Sequence, residues 1–397
     1  MFDWGLYLAL IIALGIGFIV GYRQSQKDKK PSSSSLKGID RHYFTGLNFL
    51  LNEQPDAAID AFIQALEVNS ETLETHLALG NLLRKRGEVD RAIRIHQNLL
   101  ARPGLTLHQA QQAQYELATD FVKSGLFDRA EGLLEELVTK EGPYKILGLK
   151  RLLEVYRDEK EWQSGLTVLQ KLSGSRFSKA YEEWAPIRAH FYCELAELSI
   201  AKQQYDEARQ WLKKALSDHK HNIRAGLLLG RLEVSIGNSH KAIAQLQKVI
   251  TFDTHYVAEV IPYLTEAYQQ LGDIRAYRSF LEPLVGSHPH EESVLIALAD
   301  AIEYQDGAKA AAEYVAQAVI QQPSRMGLHK LLDYYLQLSE GNTQQHLQSL
   351  KVVMEQVVSD STHYQCEKCG FKGHSLHWLC PTCKTWGSMQ PHRHYQL

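Results

Sequence analysis

The chain has 397 residues and a mass of 45.1 kDa, enough for two or three folding units. Hydrophobic residues make up 44% and charged residues 22%, a usage that excludes a largely disordered or collagen-like chain. The 43 Lys+Arg against 46 Asp+Glu leave a formal charge of −3, so no general polyanion binding follows and nucleic acid is not an expected partner.

The first element is a predicted transmembrane helix over residues 1–22. Leu6 to Val20 is an unbroken run of apolar residues and glycines, flanked by Trp4, Tyr7 and Tyr22. At 1.5 Å per residue such a segment crosses a hydrocarbon core of about 30 Å. A cleaved signal peptide is disfavoured because no positive n-region precedes the run, Asp3 being the one charge before it. Arg23, Lys27, Lys29, Lys30, Lys37 and Arg41 all follow it, which predicts a single-pass protein with its body on the cytoplasmic side. Gly17 and Gly21 form a small-xxx-small pair that could let two anchors pack closely as a homodimer, although glycine is common in such helices anyway. Residues 23–42, with Pro31 to Ser35 at their centre, read as a basic tether.

From residue 43 to 324 the pattern is helical and repeats. Small or apolar residues recur at Gly46, Gly80, Ala118, Leu153, Ala196, Gly230, Thr265 and Ala299, spaced by 34, 38, 35, 43, 34, 35 and 34 residues. Twelve residues after each come Ala58, Ala92, Ala130, Gly165, Ala208, Ala242, Tyr277 and Ala311. Sixteen after each come Phe62, His96, Leu134, Leu169, Leu212, Leu246, Leu281 and Val315. Small residues on paired helices let the backbones approach, and a large one a turn later fills the gap. Gly87, Gly125, Gly237 and Gly272 mark turns between helices, and Pro289 and Pro323 mark repeat ends. The 43-residue spacing implies an insertion around Ser173 to Pro186.

This arrangement resembles the tetratricopeptide repeat (TPR) family, whose period is about 34 residues. The resemblance implies an all-α superhelical solenoid of about eight repeats, with a groove lined by the first helix of each pair. Usual groove positions fall on Asn81, Arg84, Lys85, Lys123, Arg157 and Arg231, candidates for binding acidic partner segments, and farther on upon Glu266, Gln269, Asp300 and Glu303. No P-loop, G-x-S-x-G, H-E-x-x-H or other catalytic constellation appears, so an enzyme is not expected. Cys193 reads as a small core residue, and His219, His221, His288 and His290 as surface histidines in turns.

Residues 325–360 continue as helices, and residues 361–397 change character. Of the five cysteines, four lie here as Cys366-x-x-Cys369 and Cys380-x-x-Cys383, too few for a disulfide scaffold but matched to one tetrahedral iron or zinc ion. Gly370 permits a positive-φ turn after the first pair, and Pro381 stiffens the second. His374 and His377 are spare donors. A unit of about 35 residues draws much of its folding energy from the metal, so a closed, structural site is expected. Tyr364, Phe371, Leu376, Trp378 and Trp386 are available to pack around the site or to dock it onto the last helices.

The two pairs resemble rubredoxin ligand motifs, except that Lys384 replaces the usual following glycine and the intervening segment is much shorter. Two other uses of the knuckle stand beside a structural one. An electron carrier would need iron. A nucleic-acid-binding ribbon would use Lys368, Lys372, Lys384 and Arg393, with Phe371 and Trp386 for stacking. The whole chain, from anchor through array to the Tyr364–Trp386 knuckle, resembles the lipopolysaccharide assembly protein B (LapB) family. That resemblance implies an inner-membrane regulator of lipopolysaccharide synthesis without chemistry of its own. Its implied partners are the protease FtsH and the deacetylase LpxC, whose degradation it promotes, together with other inner-membrane lipopolysaccharide regulators.

Overall fold

The computed structural model describes residues 73–358 and 364–391, apart from 176 and 289, together with scattered positions between 44 and 61. The anchor, the basic tether, Phe62, Pro289 and Arg393 lie outside the described residues. Among the described residues, no helix is long and apolar enough to cross a membrane.

Helices run in pairs. They are α1 (Leu73–Arg86) with α2 (Val89–Leu100), α3 (Leu107–Ser124) with α4 (Phe127–Thr139), α5 (Tyr144–Asp158) with α6 (Trp162–Ser173), and α7 (Lys179–Ala201) with α8 (Tyr205–Asp218). There follow α9 (Ile223–Ser235) with α10 (Ser239–Phe252), α11 (Val257–Leu271) with α12 (Ile274–Ser287), α13 (Glu292–Asp306) with α14 (Ala308–Gln321), and α15 (Arg325–Leu338) with α16 (Gly341–Val358). A short 3-10 turn, Thr254–Tyr256, leads into α11. Two compact units divide within α5, after Val155.

The repeat positions behave as their chemistry demands. Ala92, Ala118, Ala130, Ala196, Ala208, Ala242, Ala299 and Ala311 are fully buried, as are Leu134, Leu169, Leu212, Leu246, Leu281 and Val315. The large residue lies against the small one of its own repeat. A Cβ placed on Gly80 would meet His96 Nε2 at 2.3 Å, and one on Gly230 would meet Leu246 Cδ2 at 2.4 Å. In the degenerate seventh repeat Tyr277 takes an alanine position, and its hydroxyl bonds Thr265 Oγ1 at 2.7 Å, so a hydrogen bond replaces the small-small approach.

Gly87, Gly125, Gly237 and Gly272 all adopt positive φ between paired helices. At the same turn of the fourth and fifth repeats stand Lys160 (φ 61°) and Gln203 (φ 59°), side chains held in the left-handed region. The long fourth spacing is explained by α7, which has 23 residues against 14 in α1 and carries Pro186 inside it. Ser178 caps it by accepting from the Tyr181 amide at 3.1 Å.

The carboxy-terminal ribbon is a three-stranded antiparallel sheet ordered β2 (Lys372–Gly373), β1 (Tyr364–Cys366), β3 (Met389–Pro391). Cys366 stands opposite Met389, and Tyr364 opposite both Gly373 and Pro391.

Candidate metal centre and its seat on the repeats

Two matching turns present the four cysteines. Gly370 N donates to Cys366 O at 2.9 Å, and Lys384 N donates to Cys380 O at 2.9 Å. Cys366 N bonds Phe371 O at 2.8 Å and Cys380 N bonds Thr385 O at 3.0 Å, closing each knuckle in the same way. Gly370 has φ 75°, and Lys384, standing where rubredoxin-like knuckles carry glycine, holds φ 53°. The backbone shape survives the substitution at the cost of a left-handed side chain.

All four sulfurs lie within 4.8 Å of one another. Cys366 and Cys383 are 3.7 Å apart and Cys369 and Cys380 also 3.7 Å. A tetrahedron with metal–sulfur bonds of about 2.3 Å has edges of about 3.8 Å, so these two separations fit zinc or iron. His374 and His377 are exposed and take no part in the cluster.

Backbone amides aim at three of the four sulfurs. The amides of Lys368 and Cys369 aim at Cys366, that of Phe371 at Cys369, and that of Thr385 at Cys383. The Ser388 hydroxyl, 3.3 Å from the Cys366 sulfur, leads in drawing that thiol down to about 6. For Cys369 the Phe371 amide pulls down, but desolvation and then the three neighbouring sulfurs prevail and push it up to about 12. Four sulfurs this close cannot all ionise without a cation among them. The ion would be held by Cys366, Cys369, Cys380 and Cys383, with every position of the tetrahedron filled by protein, as in a structural site.

Tyr364, Phe371 and Leu376 pack against the ribbon's own core, the first of the two uses expected of its aromatic and apolar residues, while Trp386 and Trp378 dock it on the fourth to seventh repeats. The Trp386 ring stacks on His190 (4.9 Å, 14°) and approaches Trp162 and Phe191 at 6.3 and 6.1 Å. The Arg224 guanidinium lies 5.6 Å from the same indole. Trp378 stacks on Tyr256 (5.7 Å, 18°), whose hydroxyl donates to Met389 O at 3.2 Å. Tyr364 donates its hydroxyl to Glu259. His190, Arg224 and Glu259 each lie six residues before Ala196, Gly230 and Thr265, so they hold one register position in three successive repeats. That shared register was readable in the sequence, but nothing local says that residues over 100 positions later would cover it. Burial, then the charge of Arg224, pushes His190 down to about 3, so it is neutral beneath the indole.

The groove candidates divide. Arg84 spends its guanidinium inside the protein, on Asp120 (2.7 Å), Glu116 (2.6 Å) and Asn81 (2.6 Å). Asp120 in turn bonds His96 Nδ1 at 2.5 Å, which explains the one polar residue among the large repeat positions. Arg157 pairs with Asp158 at 3.0 Å and reaches the Lys384 carbonyl at 3.5 Å, so it faces this chain's own knuckle. Lys85, Lys123 and Arg231 are exposed, the last within 5.9 Å of the Tyr263 ring. Of the acidic candidates, Asp300 is paired with Lys330 at 2.5 Å. Trp386, needed for stacking in a nucleic-acid ribbon, is committed to His190. Cys193 is wholly buried and pushed up to about 12 by burial, a core thiol as its setting implied.

Residues 364–391 match the rubredoxin metal binding domain family, and residues 75–107 and 199–260 match tetratricopeptide repeat families. Lipopolysaccharide assembly protein B of Escherichia coli K12 is 38% identical over 389 residues, 98% of each chain. The chain belongs to the lipopolysaccharide assembly protein B family. The Haemophilus influenzae member is 35% identical over 395 residues, 97% of each chain. MamA from Desulfovibrio magneticus, a solved structure 17% identical over 47% of this chain, aligns with a TM-score of only 0.31, too low to bear on the fold. The family resemblance read from the anchor, array and knuckle is thus matched across nearly the full length, and both the repeats and the ribbon are matched separately.

Proposed function

We propose that this protein is a non-enzymatic adaptor of the inner membrane that controls lipopolysaccharide synthesis by bringing the deacetylase LpxC to the protease FtsH for degradation. The observation that carries the reading is the full-length correspondence to lipopolysaccharide assembly protein B. The apolar run Leu6 to Val20 serves as the anchor, with the basic residues that follow it keeping the body in the cytoplasm. Confining a client-binding array to the membrane plane raises its concentration at a membrane protease without any new catalytic group.

The exposed cations Lys85, Lys123 and Arg231 supply contacts for acidic client segments. A metal held by the four cysteines supplies folding energy to the ribbon and no reaction step. The test is the half-life of LpxC in cells after translation is blocked, with this protein present and then depleted. A longer half-life on depletion is the expected result. An unchanged half-life would refute the protease role and move the function to scaffolding of another envelope assembly step.

A further inference from the structure

The ribbon holds the array through three aromatic side chains, and the cysteines fix the position of each. Tyr364 lies two residues before Cys366, Trp378 two before Cys380, and Trp386 three after Cys383. Their seats are Glu259, Tyr256 and the stacked pair of His190 and Arg224. The ribbon has little else to keep the three in one constellation. Its buried core is Cys366, Cys380 and Met389, so two of three core residues are metal ligands, and its strands have three, two and three residues. A sheet this short does not stand on apolar burial alone.

The covered face is also poised. His190 Nδ1 and Arg224 Nε and Nη1 are buried without a hydrogen-bond partner, although Arg224 Nη2 bonds Glu194 at 2.8 Å and Glu197 at 3.0 Å. Each such atom gives up its bonds to water when the ribbon closes over it, and aromatic burial must offset that loss. A contact balanced in this way opens when one of its supports is withdrawn.

We propose that the ribbon is a metal-dependent cover over the His190–Arg224–Glu259 stripe of three successive repeats, so that occupancy of the four-cysteine site decides whether this face is shielded or open to solvent. With the ion bound, the three aromatics are seated and the stripe is shielded. With the ion lost, the ribbon lifts, water reaches the orphaned nitrogens, and a face of two aromatic seats flanked by a cation and a carboxylate is bared. The proposal rests on the metal reading of the cysteines and is independent of the protease reading, since the test involves neither FtsH nor LpxC.

The test is histidine footprinting of the full chain with diethyl pyrocarbonate, read by mass spectrometry, before and after chelation, with metal content measured in each sample. His190 is buried under Trp386, His255 has a side chain 55% exposed, and His96 is fully buried in the other unit, so the last two serve as fast and slow references. In the loaded chain His190 should label at least about tenfold more slowly than His255, a factor equivalent to about 1.4 kcal/mol. After chelation it should approach the His255 rate while His96 stays protected, and added zinc should restore protection. Trp386→Ala should label quickly at His190 with its ion still bound and its far-ultraviolet circular dichroism unchanged. Protection of His190 in chain shown to be free of metal would overturn the proposal. So would a rise at His96 together with His190, because the metal would then be holding the helices and not the cover.

Discussion

Replacing Gly230 with alanine probes the contact on which the repeat register depends. The new methyl would lie 2.4 Å from Leu246 Cδ2 and 2.5 Å from its Cγ, where carbon atoms prefer about 3.5 to 4.0 Å. Leu246 is fully buried, so its side chain cannot swing into solvent. Overpacking of this kind costs about 1 to 3 kcal/mol, against about 1 kcal/mol gained when a helical glycine becomes alanine. Gly286→Ala, in the same unit and with nothing within 4 Å of its added Cβ, takes the gain without the clash. Urea unfolding followed by circular dichroism should therefore separate the two variants by about 1 to 3 kcal/mol, Gly230→Ala being the weaker. The decisive comparison is in a Leu246→Ala background, itself weakened by about 2 to 5 kcal/mol. There the methyl at 230 has room, and Gly230→Ala should become neutral or stabilising. Equal destabilisation in both backgrounds would refute the packing argument.

Lys160→Gly and Gln203→Gly should each raise stability by about 1 kcal/mol by relieving left-handed backbone, whereas Gly125→Ala should lower it by about as much; urea midpoints decide. Asp120→Ala strands the buried His96 while Arg84 keeps Glu116 and Asn81, and thermal unfolding should show a loss of about 1 to 3 kcal/mol, against no more than about 0.5 kcal/mol for Lys145→Ala in an exposed pair. His190, pushed down to about 3 by burial and then by Arg224, is protonated more readily in the unfolded chain than in the folded one. Its contribution is therefore complete above about pH 6.5 and falls with pH by about 1.4 kcal/mol per unit, or about 2 kcal/mol by pH 5. His190→Phe should flatten that part of the stability profile, and an unchanged slope would show that the loss arises elsewhere.

The array was legible because burying a helix pair leaves a periodic trace in the sequence. Ala92, Ala130 and Ala242 mark the close approach, and Leu134 and Leu246 mark the filled gap, whatever lies on the surface. The metal site was legible because ligand spacing is local to each turn. Cross-repeat chemistry was not. His96 looked like a lapse in an apolar column until Asp120 and Arg84 were found beside it, 24 residues after and 12 before it along the chain. The groove assignment of Arg157 failed to foresee the Lys384 carbonyl, because periodicity identifies the exposed face of a helix and says nothing of what comes back to cover it. The insertion near Ser173 left no sign that it would lengthen α7, since Pro186 reads as a break and yet lies within the helix.

The seat of the ribbon has a consequence for the order of events at the ribosome. Helix pairs close over neighbours about 34 residues apart and need only the chain already made. Trp386, by contrast, must reach back to Trp162, and Lys384 to Arg157, a separation of 227 residues. At translation rates of about 5 to 20 residues per second, the seat around Trp162 waits roughly 10 to 45 s for its occupant to be synthesised. The ribbon itself must be made before the seat can be filled. A newly made copy therefore passes through a period in which the helices around Trp162 are complete and their aromatic face is bare.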